Sequence, residues 1–276
     1  MKCYVPFSVV ISVYKNDKAE NFDLALRSIT IEQSVKPQEV VLVVDGPVSE
    51  EINQVIQKYE TLQENFNVIR LETNQGLGNA LNIATQKCKC ELIAHMDSDD
   101  ISAPTRFEQQ VTLFETHPQL DIVGGDIAEF IDDEDNIVSK RTVPCADEDI
   151  KEYMKHRCAM NHVTVMYKKS AVLKAGNYIE WFCNEDYYLW LRMLRQNCVF
   201  GNTGTVLVNV RIGKDMYRRR GGKEYFQSEK GIQQYMLEHK LIDKKTYIIN
   251  VLKRWIVQVL LPNAVRGFVF RKFARE

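Results

Sequence analysis

The sequence predicts an α/β fold, a doubly wound and mainly parallel sheet. Two observations carry this: four short apolar runs rich in β-branched residues alternate with three segments of helical spacing, and the runs end in polar or acidic residues. Phe7 to Tyr14 reads as a buried parallel strand, and Phe22 to Gln33 as a helix from the spacing of Phe22, Leu24, Ala25 and Ile29. A strand at Val40 to Val44, a helix over Glu50 to Leu62 and a strand at Asn67 to Leu71 follow. A helix over Leu77 to Cys88 then leads to the strand Glu91 to Met96. Sheets of this kind bind ligands beyond the carboxyl ends of their strands. Tyr14, Asp45 and Asp97 all fall there.

The second half is less regular. Thr105 to Glu115 reads as a helix, and Asp121 to Ile131 as a strand interrupted at Gly124-Gly125, where a bulge is expected. The polar turn Asp132 to Asn136 closes a hairpin that returns over Ile137 to Val143. Helices are expected at Asp147 to Lys155 and Tyr187 to Arg195, with strands at Asn161 to Tyr167 and Val206 to Ile212. Beyond them the chain is helical and basic.

Composition narrows the possibilities. A chain of 276 residues, 45% hydrophobic, can bury one large core or one core with a small appendage. A net charge of −1 provides no basic field for nucleic acid. Seven cysteines without framework spacing suit reduced thiols in a cytosolic protein, and Cys88-Lys-Cys90 is too tight for the usual paired zinc ligands. Met1-Lys-Cys-Tyr-Val-Pro leads straight into the first strand, so no secretory leader is expected. Nor is any apolar stretch of about 18 residues present to span a membrane.

The run Glu91-Leu-Ile-Ala-His-Met-Asp97-Ser-Asp99-Asp100 is the most informative stretch, because an apolar strand emerges into three carboxylates. Unpaired charges cannot be buried cheaply, so this end must meet a cation or water. Carboxylates at i and i+2 on a strand end suit a hard divalent ion shared with phosphate oxygens. The alternative is a solvated turn that caps the next helix, a role expected of Asp100 in either case. A second strand with a similar ending, Glu39-Val-Val-Leu-Val-Val-Asp45-Gly46, favours the ligand-binding reading.

These pieces resemble family 2 glycosyltransferases of the GT-A fold, over about residues 7–225. In order they are Ser8-Val-Val-Ile-Ser-Val-Tyr-Lys15, Val43-Val-Asp45-Gly46, Asn74-Gln-Gly-Leu-Gly-Asn-Ala-Leu-Asn82, Met96-Asp-Ser-Asp-Asp100 and Glu185-Asp186-Tyr-Tyr-Leu-Trp190. Asp45-Gly46-Pro47, Asn161-His162-Val-Thr-Val-Met166 and Arg218-Arg-Arg-Gly-Gly222 are similar to bacterial enzymes that add a hexose during O-antigen or exopolysaccharide repeat-unit assembly. The resemblance implies a UDP-hexose donor (galactose or glucose) and an acceptor sugar, GlcNAc or GalNAc, on a polyprenyl diphosphate lipid.

The resemblance also implies site roles. Asp99 would bind Mn²⁺ or Mg²⁺, which acts as a Lewis acid on the leaving diphosphate, and Asp97 would reach the ribose or share the metal. Asp45 would meet the uracil ring, with Tyr14 near it and Asn74, Gly76 and Asn82 beneath the nucleotide. Asp186 would be the general base and Glu185 would orient the acceptor; a single base and in-line attack predict inversion, giving a β-linkage. His162 would contact the acceptor or diphosphate, and Arg218, Arg219 and Arg220 the phosphate oxygens. Each residue also has a plainer reading. Asp45-Gly46 makes a good turn, Asn74 to Asn82 a loop and helix start, and Glu185-Asp186 a helix N-terminus. His162 equally suits a hydrogen-bonded structural histidine, Tyr14 a strand-end packing role, and the arginines a solvated turn.

The expected division is a catalytic domain over 1–225, with a nucleotide-sugar half to residue 100 and an acceptor half after it, then a basic helical tail over 226–276. From Tyr247 to Phe273 apolar residues mix with five cations, and Arg275 follows, which suits either an anionic membrane interface or packing on the domain. Pro262 should break this segment into two helices. The interfacial reading places the protein at the inner face of the cell membrane. Two other classes compete. A nucleotidyltransferase would carry a Gly-rich phosphate loop after the first strand, where Val13-Tyr-Lys-Asn16 has no glycine. A catalytically dead scaffold would normally lack one of Asp45, Asp97, Asp99 and Asp186, and all are present.

Overall fold

Four strands, β1 (Phe7–Val13), β2 (Glu39–Val44), β3 (Phe66–Arg70) and β4 (Leu92–Met96), run parallel in the order β3-β2-β1-β4. The computed structural model describes residues 4–213 and 221–261. Two helices, α1 (Ala19–Ile29) and α2 (Glu50–Leu62), cover one face, while α3 (Leu77–Lys87) covers the other. Helices on both faces exclude water from both, which is why β1, β2 and β4 are almost continuously apolar. Register aligns the strand ends: Val13 pairs with Val44, and Ile11 with Met96. The residues that follow therefore share one rim.

Past β4 the sheet turns mixed. In sheet order, β8 (Met166–Lys168), β6 (Ile122–Phe130), β9 (Phe200–Arg211) and β5 (Ile101–Ser102) complete it, with β7 (Ile137–Arg141) hairpinned onto β6. The register shifts between Gly124 and Asp126 where β6 meets β9, at the expected bulge. Several features depart from the sequence reading. Asn161 to Tyr167 is no single strand: a 3-10 turn at His162–Thr164 precedes β8. Thr164 explains the turn, since its hydroxyl bonds back to the Asn161 carbonyl at 2.7 Å and competes with extended pairing. The last strand starts at Phe200, six residues before its expected start at Val206. Asp100 caps no helix; its carboxylate accepts from the Arg211 backbone N–H at 2.8 Å and ties the Asp97–Asp100 turn to β9.

The remaining helices complete both layers. α4 (Arg106–Thr116) joins the face of α1 and α2. α5 (Asp147–Met154), α6 (Lys169–Lys174), α7 (Glu185–Arg195) and α8 (Lys223–Glu238) join the face of α3, and α8 adds Ile232 and Met236 to that core. α9 (Lys244–Trp255) follows, continuing into a π-helical turn at Ile256–Leu260. Its inner side is anchored by Asn250, which donates to the Lys155 carbonyl and to Gln233, each at 2.8 Å, and by an Arg254–Glu229 ion pair at 2.5 Å. The segment between Tyr247 and Leu261 thus packs on the domain through one side; Arg266, Phe268, Phe273 and their neighbours lie outside the described residues.

Candidate active site

Parallel pairing brings Tyr14, Asp45 and Asp97 to one rim, as expected from their places at strand ends. Asp45 is buried there and its carboxylate is well supplied. Oδ1 accepts from the Gln75 N–H at 2.7 Å, and Oδ2 from the Asn74 side chain at 2.9 Å and the Gly76 N–H at 3.1 Å. Asp45 therefore organises the Asn74–Gly76 loop, and any base contact falls to its remaining lone pairs or to that loop. Tyr14 is 38% exposed, with its N–H donated to Asp17 at 3.0 Å. Asn82, one turn into α3, donates to the Tyr178 carbonyl at 2.6 Å instead of facing the rim loop.

Asp97 and Asp99 close the rim after β4. Asp99 is exposed and its backbone carbonyl accepts from Arg211 at 3.2 Å. Between them, Ser98 donates its hydroxyl to Asp17 at 2.8 Å, and burial raises the Asp17 carboxyl above its ordinary range. Burial also pushes Asp97 upward, but the hydrogen bond from His95 and the nearby positive field of Arg106 outweigh it and hold the carboxyl low. Asp100 is the opposite case: burial and the charges of Asp99 and Asp97 raise it well above the usual range.

Arg106 lies wholly buried under this turn. Its guanidinium donates to the His95 carbonyl at 2.7 Å and to Gln110 at 3.1 Å, and burial lowers its pKa to about 9. A cation kept beneath the turn favours the ionised form of Asp97.

His162 faces the same turn from the second half. Its ring stacks on that of His95, centroids 4.0 Å apart and planes 19° from parallel, and its Nε2 meets the Tyr178 hydroxyl at 3.1 Å. Burial, and then His95, depress its pKa well below normal, so the ring is neutral. His95, Asp97 and His162 bring three potential ligand atoms within 4.8 Å of one another. Nearly parallel rings, however, direct their in-plane lone pairs side by side and not toward a common point. The trio offers two nitrogens and one oxygen, whereas a hard divalent ion prefers an all-oxygen shell.

Glu185 and Asp186 open α7, two residues before its expected start. Glu185 is 9% exposed, and burial followed by the charge of Asp186 raises its pKa to about 8; the Asp97 charge acts on it too. Asp97 and the start of α7 thus lie within reach of each other's charge. Buried Tyr178 bridges them, bonded to His162 and sensitive to the charges of Asp186 and Glu185, with Trp190 edge-on at 6.3 Å. Arg218, Arg219 and Arg220 lie outside the described residues.

Sequence reasoning missed His95, Arg106, Tyr178 and Glu180. A histidine inside an otherwise apolar strand was a readable signal. Arg106 gave none, because nothing local distinguishes a buried arginine from a solvated one at a helix start.

Comparison with known proteins agrees with this arrangement. Residues 8–180 match the family described as Glycosyl transferase family 2. The chain is 36% identical over 269 residues to the amylovoran biosynthesis glycosyltransferase AmsE of Erwinia amylovora, covering 96% of this chain and 98% of that one. It is 34% identical over 271 residues to the UDP-Gal:alpha-D-GlcNAc-diphosphoundecaprenol beta-1,3-galactosyltransferase of Escherichia coli, covering 98% and 97%. Among solved structures, the mannosyltransferase PcManGT of Pyrobaculum calidifontis, in complex with GDP-Man and Mn²⁺, superposes with a TM-score of 0.62 at 14% identity, covering 98% of this chain and 76% of that one. The described sheet with its strand-end carboxylates and the family match agree: the chain belongs to glycosyl transferase family 2 and is a glycosyltransferase of the GT-A fold.

Proposed function

We propose that the protein transfers a hexose, galactose or glucose, from a UDP-sugar to an acceptor sugar carried on a polyprenyl diphosphate, with inversion to a β-linkage, during polysaccharide repeat-unit assembly. The observation that carries this reading is the chain of contacts that joins the two halves at the rim: Asp97 to His95 at 2.9 Å, His95 stacked on His162, and His162 to the Tyr178 hydroxyl at 3.1 Å. Support for the substrates comes from the Escherichia coli relative, whose name specifies UDP-Gal and a GlcNAc-diphosphoundecaprenol acceptor.

Asp99 and Asp97 would hold Mn²⁺ or Mg²⁺, which when bound neutralises charge on the leaving diphosphate. The Asn74–Gly76 loop, fixed by Asp45, lies where the nucleotide would rest. Asp186 removes the acceptor hydroxyl proton. Its neighbour Glu185, the more buried of the two, keeps its own proton up to about pH 8 because burial, and then the Asp186 charge, oppose ionisation, and so can donate a hydrogen bond to the acceptor. His162, held against Tyr178 and His95, shapes the acceptor side, and Arg218 to Arg220 would serve the acceptor diphosphate.

Contact with a membrane is part of the proposal. Ile248, Ile249, Leu252, Trp255, Ile256 and Leu260 are all at least 40% exposed along α9 and the turn after it, on the side away from Asn250. Lys244, Lys245 and Lys253 belong to the same helix. Among the described residues no helix is long and apolar enough to cross a bilayer. A basic helix with an apolar stripe rests in an anionic interface, which is where a lipid-linked acceptor lies. In functional terms the expected boundary at 225 moves past α8, whose Ile232 and Met236 belong to the catalytic core, and α9 with the turn after it offers the approach to the lipid.

The test is incubation of purified protein with a panel of UDP-sugars, Mn²⁺ and a synthetic GlcNAc-diphosphate-lipid, followed by mass and linkage analysis. A β-linked hexose product is expected. Transfer only to a water-soluble acceptor, or an α-linked product, overturns the reading.

A further inference from the structure

Helix α3 begins without a cap of its own. Its N-cap is Gly76, which has no side chain to satisfy the first free N–H groups. The missing acceptor comes from the other half of the molecule: Glu180 Oε2 accepts from the Gly78 N–H at 2.9 Å. The fit is tight. A Cβ at Gly76 would lie 2.6 Å from Glu180 Oε2, and one at Gly78 would lie 2.9 Å from the Glu180 Cα. One turn further along, Asn82 donates to the Tyr178 carbonyl at 2.6 Å, and Asn177 returns a bond to the Asn82 carbonyl at 3.0 Å. Three hydrogen bonds thus fasten residues 177–180 to the first two turns of α3. The same short loop runs directly into Glu185 and Asp186, and the Glu180 charge is felt at Glu185.

Glu180 is itself exposed, so the core does not need its side chain. What it fixes is the distance between the nucleotide-side helix and the start of α7. We propose that Glu180 is a positioning residue, capping α3 from across the site and so holding the loop that delivers Glu185 and Asp186 to the donor carboxylates. This rests on the reading of Asp186 as the base, and the experiment separates the two.

Four variants are compared in the full-length protein: Glu180→Ala, Glu180→Gln, Gly78→Ala and Asp186→Asn. Each is measured for kcat and KM, for UDP-sugar binding by calorimetry, for thermal unfolding, and for hydrogen exchange of residues 177–184. Glu180→Ala should lose exchange protection in 177–184 and drop kcat about 10–100-fold, the scale of a small misplacement of reacting groups, with donor affinity within about 3-fold. Glu180→Gln keeps an acceptor oxygen and should restore most of kcat. Gly78→Ala introduces a better helix former yet should lower kcat in the same way, because its methyl displaces the Glu180 backbone. A fold defect would lower the unfolding temperature and donor binding together, which is not expected.

Unchanged protection in Glu180→Ala overturns the proposal, as does lost protection with wild-type kcat. If Asp186→Asn keeps full turnover, the base assignment fails, and the exchange and kcat of the Glu180 variants still decide the cap.

Discussion

His95 Nε2 lies 2.9 Å from Asp97 Oδ1, and the imidazole is fully buried. Its Nδ1 finds no hydrogen-bond partner among the described residues. A proton on Nδ1 would be an unpaired buried donor and would also leave two lone pairs opposed at Asp97. A ring with a single proton therefore carries it on Nε2 and donates to the carboxylate. Replacing His95 by Phe keeps a flat ring against His162 but removes this bond. We expect UDP-sugar affinity in the presence of Mn²⁺ to fall about 10–100-fold, the usual cost of losing a partner that orients a ligand. Calorimetric titration measures this directly, and unchanged affinity would show that Asp97 needs no such orientation.

Asp99→Ala should abolish metal-dependent transfer while leaving the unfolding temperature within a few degrees, because the side chain is exposed at the strand end. Circular dichroism and a Mn²⁺ titration of activity check both halves of the statement. Full turnover in excess EDTA after exhaustive metal removal would contradict it.

Asp186→Asn should lower kcat at least about 100-fold and leave donor binding within about 3-fold, since a general base acts on the acceptor. Single-turnover kinetics with a saturating acceptor is the appropriate measurement. A much larger loss in Glu185→Gln than in Asp186→Asn would transfer the role to Glu185.

Glu185 also makes stability depend on pH. Its carboxyl titrates near 8 when folded, against 4.5 for an unperturbed glutamate, so the folded chain binds the proton more tightly. Stability is therefore lost as pH rises from about 4.5 to about 8, at up to about 1.4 kcal/mol per unit. Glu185→Gln removes that slope, and its unfolding midpoint should exceed that of the wild type above pH 8 while converging with it toward pH 5. Parallel curves across the range would mean that the carboxyl is not buried as described.

Changing Ile248, Leu252 and Trp255 to serine should weaken binding to anionic liposomes and spare transfer to a short-chain soluble acceptor. Each side chain is more than 40% exposed, so the core loses little. Substitution is a cleaner probe than truncation at Tyr247, which would strip Arg254 from buried Glu229 and Asn250 from Gln233. Cosedimentation at rising salt isolates the electrostatic share. Wild-type binding by the triple variant would assign the contact to another surface.

The sequence by itself determined the alternation of strands and helices in the first half. Runs such as Val40–Val44 and Ile93–Met96 are buried on both faces, and that demand leaves a short continuous apolar run that can be read directly. It also determined that acidic residues end those strands, because a carboxylate cannot be placed in an apolar run without a partner. The second half was harder to read. β8 is three residues long and β5 two, too short for any pattern, and both exist only because neighbouring strands offer hydrogen bonds. Only the tertiary structure decided which side chains meet. Asp97 and His95 are two residues apart, but Glu180 reaches Gly78 across 102 positions and His162 stacks on a ring 67 positions earlier. Local sequence encodes burial and backbone preference. The partner of a buried polar group is set by sheet order and helix packing, which arise from the whole chain at once.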